Sequence, residues 1–156
     1  MKTLVAYFSA TGSTAKLAET LASSADAELY EIRPAVPYER RDLNWMDKKS
    51  RTTLDMADPN CRPALADRDA PVAEAGRIFL GFPIWWYREP SIIDTFLEAY
   101  DFSGKTLLPF FTSGGSQLGE GQVRIEQLAV GARVLEGHRF KAGAGEKELK
   151  EWIETL

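Results

Sequence analysis

The sequence predicts an α/β fold, a doubly wound parallel sheet with helices on both faces. Three observations predict it. Strand-like and helix-like segments alternate five times along the chain, the pattern of successive βα units. The strand-like runs are apolar without clean alternation, as strands covered on both faces are. The stretches that stand out chemically, Ser9 to Thr14, Pro83 to Glu89 and Thr112 to Ser116, each follow a strand. Sheets of this kind place ligands outside the carboxyl ends of their strands.

Lys2 to Phe8 reads as a buried strand, and Leu17, Ala18, Leu21 and Ala22 mark one face of a helix ending near Ser23-Ser24. Glu28 to Arg33 alternates polar and apolar, which suits an edge strand stopped by Pro34 and Pro37. Residues 34–76 form a long irregular crossover with many charges and prolines. Short helical pieces are expected near Arg41 to Asp47 and Ser50 to Met56, with Trp45 and Met56 pinning the segment to the body. Arg77 to Phe82 is the next strand. Ile92, Ile93, Phe96, Leu97 and Tyr100 make the apolar face of the helix after it. Lys105 to Thr112 is a strand despite Pro109, followed by a helix around Gln122 to Ala129. Arg133 to Leu135 is a short fifth strand, and Leu149, Trp152, Ile153 and Leu156 face one way on a last helix from about Glu146.

A length of 156 residues with 44% hydrophobic content suits a single domain, 1–156, with a sizeable core. The formal net charge is −4 and no basic stripe is present, so nucleic acid is not expected as a partner. No apolar run approaches a membrane span and no signal-type leader is visible, so a cytoplasmic protein without membrane contact is expected. Cys61 is the only cysteine and His138 the only histidine. A disulfide, a thiolate cluster and a His-rich metal site are therefore not expected, and no catalytic acid or base is assigned.

Ser9-Ala10-Thr11-Gly12-Ser13-Thr14 leaves a strand and enters a helix through hydroxyls and one glycine. Such a loop aims hydroxyls and unpaired N–H groups at one point, which attracts a phosphate monoester. Ser13 or Thr14 can also cap the helix, and a capped start without a ligand is the plainer reading. Pro83-Ile84-Trp85-Trp86-Tyr87 sets three aromatics just past a buried strand. A planar heteroaromatic ligand would give them a partner; a core corner or a partner patch is the alternative. The loop Thr112-Ser113-Gly114-Gly115-Ser116 can approach a ring edge with its backbone, or be a surface turn. The dinucleotide fingerprint fails, because Gly119-Glu120-Gly121 lacks both the third glycine and a leading strand. No Walker lysine is present, and Gly114-Gly115-Ser116-Gln117-Leu118 lacks the second glycine of a hydrolase elbow. A phosphate hook, an aromatic wall and a polar rim together describe a pocket for flavin mononucleotide, FMN.

These residues resemble the flavodoxin family. The resemblance is carried by Tyr7 to Thr14, by Gly81-Phe82-Pro83-Ile84-Trp85-Trp86, and by Tyr100 to Lys105 leading to Thr112-Ser113-Gly114-Gly115. It is strongest to the bacterial flavodoxin-like group with a Trp-Trp flavin loop. Asp42-Leu43-Asn44-Trp45 and Ser50-Arg51 resemble that group too. The resemblance implies a five-stranded sheet in the order 2-1-3-4-5 and noncovalent FMN. It implies that Ser9, Thr11, Gly12, Ser13 and Thr14 hold the phosphate. Pro83, Ile84, Trp85, Trp86 and Tyr87 would line the flavin ring, and Ser113, Gly114 and Gly115 its other edge. The group usually has Gly after the two tryptophans, where Tyr87-Arg88-Glu89 stands here. In flavodoxins a peptide of this loop turns its carbonyl toward flavin N5 on one-electron reduction. A side chain at the glycine position is then expected to lower the first one-electron potential.

The function expected on these grounds is electron transfer by an FMN-binding carrier, with a redox partner protein or small acceptor. A monomer or weak dimer is expected. Two alternatives remain open: an FMN-dependent oxidoreductase passing electrons from NAD(P)H to quinones or other small acceptors, and a regulatory or binding module of the same fold without electron transfer.

Overall fold

The computed structural model describes residues 2–156. Its strands are β1 (Lys2–Tyr7), β2 (Glu28–Glu31), β3 (Ala75–Pro83), β4 (Thr106–Thr112), β5 (Arg133–Val134) and β6 (His138–Phe140). Its α-helices are α1 (Ser13–Ser24), α2 (Arg51–Ala57), α3 (Ser91–Ala99), α4 (Gly121–Leu128) and α5 (Glu146–Glu154). The strands run parallel in the order β2-β1-β3-β4-β5, as the resemblance implied.

The period of two along each strand divides the core into two layers. Leu4 and Ala6 of β1, with Phe8 just past it, point toward α3 and α4, joining Ile78, Leu80, Phe96, Leu97 and Ile125. Val5 and Tyr7 point the other way, toward Leu17 and Leu21 of α1 and Leu149 and Trp152 of α5. Gly81 is needed because the ring of its cross-strand neighbour Phe110 covers it: a Cβ there would lie 2.2 Å from that ring.

The fifth strand is a correction to the expected sheet. It comes in two pieces, β5 and β6, both parallel to β4 on one edge. The reason lies in Pro109. Arg133 N–H donates to Lys105 O at 2.8 Å, and Leu135 N–H to Leu107 O at 2.9 Å, so alternate residues of β4 face this edge. Pro109 is next in that series and has no N–H to offer. The ladder breaks there and resumes at Phe110 and His138.

The crossover holds a short 3-10 turn at Arg40–Leu43 and then α2, capped by Ser50, whose Oγ accepts from Thr53 N–H at 3.3 Å. Thr52 Oγ1 donates to Asp42 O at 2.5 Å, tying the turn to α2. Met56 is buried and pins the segment as expected. Trp45 does not: it is 71% exposed, and Tyr38 takes its place by packing edge-on against Phe8 and Trp85.

Candidate functional site

The chemically distinctive loops meet at the carboxyl ends of β1, β3 and β4. The first opens α1. Gly12, at φ 98°, is its N-cap, and no side chain caps the helix. Ser9 Oγ accepts from Gly12 N–H at 3.1 Å, which folds the loop back on itself. Neither Ser13 nor Thr14 caps, contrary to one option above. Thr14 is buried and its hydroxyl bonds Thr112 Oγ1 at 2.9 Å, joining the loop to the end of β4.

The aromatic stretch is a tight turn. Trp86 has φ 47° and Tyr87 φ 65°, both in the left-handed region. Trp85 packs inward, edge-on to Phe8 and Tyr38 at centroid distances of 5.5 and 5.3 Å. Trp86 is 38% exposed and Tyr87 72%. Ile84, Trp85, Trp86 and Tyr87 form one side of a slot of about 360 Å³. Leu43, Trp45 and Thr52 of the crossover, with Ser116 beyond β4, complete it.

A second cavity, about 410 Å³, lies beside the hydroxyl loop between Thr11, Ser13, Ser113 and Gly114. The walls of the two spaces are joined by one backbone hydrogen bond, from Ile84 N–H to Thr112 O at 3.2 Å. Thr112 borders the cavity and Ile84 the slot. Aromatic side chains line the slot, and hydroxyls line the cavity. The donor set fits a planar ring system carrying a phosphate.

The remaining expected site residues shape these walls. Ser9, Gly12 and Thr14 build the first loop, and Pro83 ends β3 opposite Thr112. Gly115 is exposed and lines neither space. Sequence reasoning missed Thr52 as a slot residue, named Ser116 only as the end of the third loop, and placed Trp45 in the body. A bulky aromatic inside a charged, proline-rich crossover was the available signal for Trp45.

Arg88 and Glu89, the departures from the family pattern, point away from the slot. Arg88 is buried and donates to Glu89 O at 3.1 Å and Met56 O at 3.2 Å. Glu89 and Asp94 are both 0% exposed. Arg124 of α4 spans them, with Nε 3.1 Å from Glu89 Oε2 and Nη2 2.5 Å from Asp94 Oδ2. Glu89 Oε1 and Asp94 Oδ1 have no hydrogen-bond partner. Burial, reinforced by the neighbouring Asp94 carboxyl and opposed by Arg124, pushes the Glu89 carboxyl up to about 9. The network ties the aromatic turn to α3 and α4.

Among the described residues, no group of His, Cys, Asp or Glu is placed to hold a metal ion, and no helix is long and apolar enough to cross a membrane.

A parallel sheet in this order, with an anion-type loop after β1 and an aromatic turn after β3, defines the flavodoxin-like class. The family model described as flavodoxin matches residues 2–156, and the chain belongs to that family. A crystal structure from Bacteroides uniformis, its protein described provisionally as a flavoprotein, is 44% identical with a TM-score of 0.93. The match covers 98% of this chain and 97% of that one. A second such structure, from Bacteroides eggerthii, is 40% identical with a TM-score of 0.92, covering 99% and 97%. A flavoprotein of Lactobacillus acidophilus, crystallised with FMN, shares the fold at 24% identity and a TM-score of 0.70, covering 97% and 98%. No curated protein matches the chain.

Proposed function

We propose that this flavodoxin binds FMN noncovalently and serves as an electron carrier. The observation that carries the reading is an aromatic slot and a hydroxyl cavity whose bordering residues Ile84 and Thr112 share a backbone hydrogen bond. The FMN bound by the Lactobacillus acidophilus relative supports the choice of flavin. Bound FMN supplies the redox chemistry. Trp86 offers a face to the ring, and Trp85, Ile84 and Leu43 keep the slot apolar and exclude water. Thr11 and Ser13 offer hydroxyls to the phosphate. Carrier rather than reductase is the reading taken from Trp45, an exposed aromatic that lines the slot and would stand in the way of a second ring-bearing substrate. The setting is proposed to be the bacterial cytoplasm, with a protein or small acceptor as partner.

Titration of flavin-free protein with FMN, riboflavin and FAD tests the first part. FMN is expected to bind at least about a hundredfold tighter than riboflavin, since several charge-assisted bonds are lost together. Equal affinities overturn the phosphate assignment. Stopped-flow mixing of the FMN-loaded protein with NADPH tests the second part, and rapid flavin bleaching would make it a reductase.

A further inference from the structure

The hydroxyl cavity has a third wall that the first two loops do not supply. Arg139, within β6, and Lys141, just past it, line it opposite Thr11 and Ser13. The parallel register sets Arg139 beside Phe111, so the guanidinium reaches the loop after β4. Its Nε donates to Ser113 Oγ at 3.1 Å and its Nη2 to Ser113 O at 3.2 Å. Arg139 is thereby fixed in place, with further N–H groups left to offer. Lys141 is exposed at the cavity edge.

Among the described residues, neither cation forms an ion pair with a carboxylate. Arg139 also borders a separate cavity that contains Glu136, Glu148 and Glu151, and pairs with none of them. Two unpaired cations lining one cavity with the Thr11 and Ser13 hydroxyls run against the chain's net charge of −4. A guanidinium, an ammonium and hydroxyl donors around one space match a phosphate monoester, whose dianion takes all three kinds of donor.

We infer that Arg139 and Lys141 complete a phosphate-monoester site with Thr11 and Ser13, in which Lys141 supplies charge and Arg139 both binds and positions the Ser113 loop, whose hydroxyl donates to Ser116 O at 2.6 Å. That the phosphate is the flavin's own rests on the function proposed above. A second ligand, such as the 2′-phosphate of NADPH, is the other source of the same chemistry.

The test uses flavin-free wild type, Lys141→Gln, Lys141→Arg and Arg139→Gln. In fluorescence titrations, Lys141→Gln is expected to weaken FMN about tenfold while riboflavin stays within about twofold. Lys141→Arg is expected to keep the wild-type preference. Added salt should erode the preference in wild type more than in Lys141→Gln. Inorganic phosphate, followed by amide NMR, should shift Ser13 and Ser113 saturably in wild type and more weakly in both Gln variants.

Unchanged FMN affinity in both Gln variants overturns the inference. So does a parallel loss of FMN and riboflavin in Lys141→Gln, which would mean a deformed slot rather than a lost charge. If inorganic phosphate binds wild type and the variants lose it while no flavin binds, the cation site stands and the flavin reading falls. Displacement of inorganic phosphate by NADPH but not by FMN would overturn the assignment to the flavin.

Discussion

Trp85 and Arg88 bond to each other twice through their backbones: Trp85 N–H donates to Arg88 O at 3.0 Å, and Arg88 N–H to Trp85 O at 3.1 Å. The two residues they enclose, Trp86 and Tyr87, both have positive φ, which makes a type I′ turn. Sequence reasoning placed the cost of a side chain at position 87 in the reduced state. Tyr87 holds the left-handed conformation in this turn, at φ 65°. Reversing the Trp86–Tyr87 peptide would convert the turn to type II′, whose first central residue is normally Gly. Resistance to reversal therefore rests on Trp86.

Tyr87→Gly is then a mild change. Relief of left-handed strain offsets the added freedom of the unfolded chain, so stability in denaturant titrations should change by no more than about 1 kcal/mol. The first one-electron potential of the FMN-loaded protein should move by less than about 40 mV, on a scale of 59 mV per tenfold. A larger rise would return the control to position 87.

The two tryptophans should separate stability from binding. Trp85 packs against Phe8 and Tyr38, so Trp85→Ala is expected to cost about 2–4 kcal/mol of stability. Trp86 faces the slot at the surface, so Trp86→Ala should cost under about 1 kcal/mol but weaken FMN about tenfold. Thermal unfolding and flavin fluorescence read the two effects, and a reversed order would exchange the roles of the rings.

Trp45→Ala tests the wall contributed by the crossover. With 71% of the residue exposed, its loss should leave unfolding within about 0.5 kcal/mol of wild type. If the ring stands over bound flavin, FMN affinity should fall about threefold to tenfold and flavin fluorescence should rise. No change in either would leave Trp45 a bystander at the slot mouth.

The Glu89 carboxyl supplies a pH signature. The folded protein holds its proton up to about pH 9, whereas the ordinary value is 4.5. The folded state binds more protons between these limits, so this group makes stability fall as pH rises across that window. Glu89→Gln removes the titration while still offering Arg124 an acceptor. It should be closest to wild type near pH 5 and increasingly more stable by pH 8. Chemical denaturation at several pH values checks this, and parallel curves for the two proteins would refute it.

The helix faces and the three site loops were legible in the chain because they rest on local patterns, while the sheet order came from the family resemblance. Apolar runs mark buried strands, spacings of three and four mark helix faces, and hydroxyls or aromatics after a strand mark a binding edge. The sequence by itself determined which loops would meet, since parallel connections bring the ends after β1, β3 and β4 to one side. Only the tertiary structure decided what those loops share. Thr14 turned to Thr112 instead of capping its helix, because the end of β4 offers a buried hydroxyl 98 residues away. The split of the fifth strand depended on which edge Pro109 faces, a matter of register between strands. Trp45, Arg139 and Lys141 reached the site through packing between segments distant in the chain. No local period encodes such contacts, so they exist only once the sheet has set the distances.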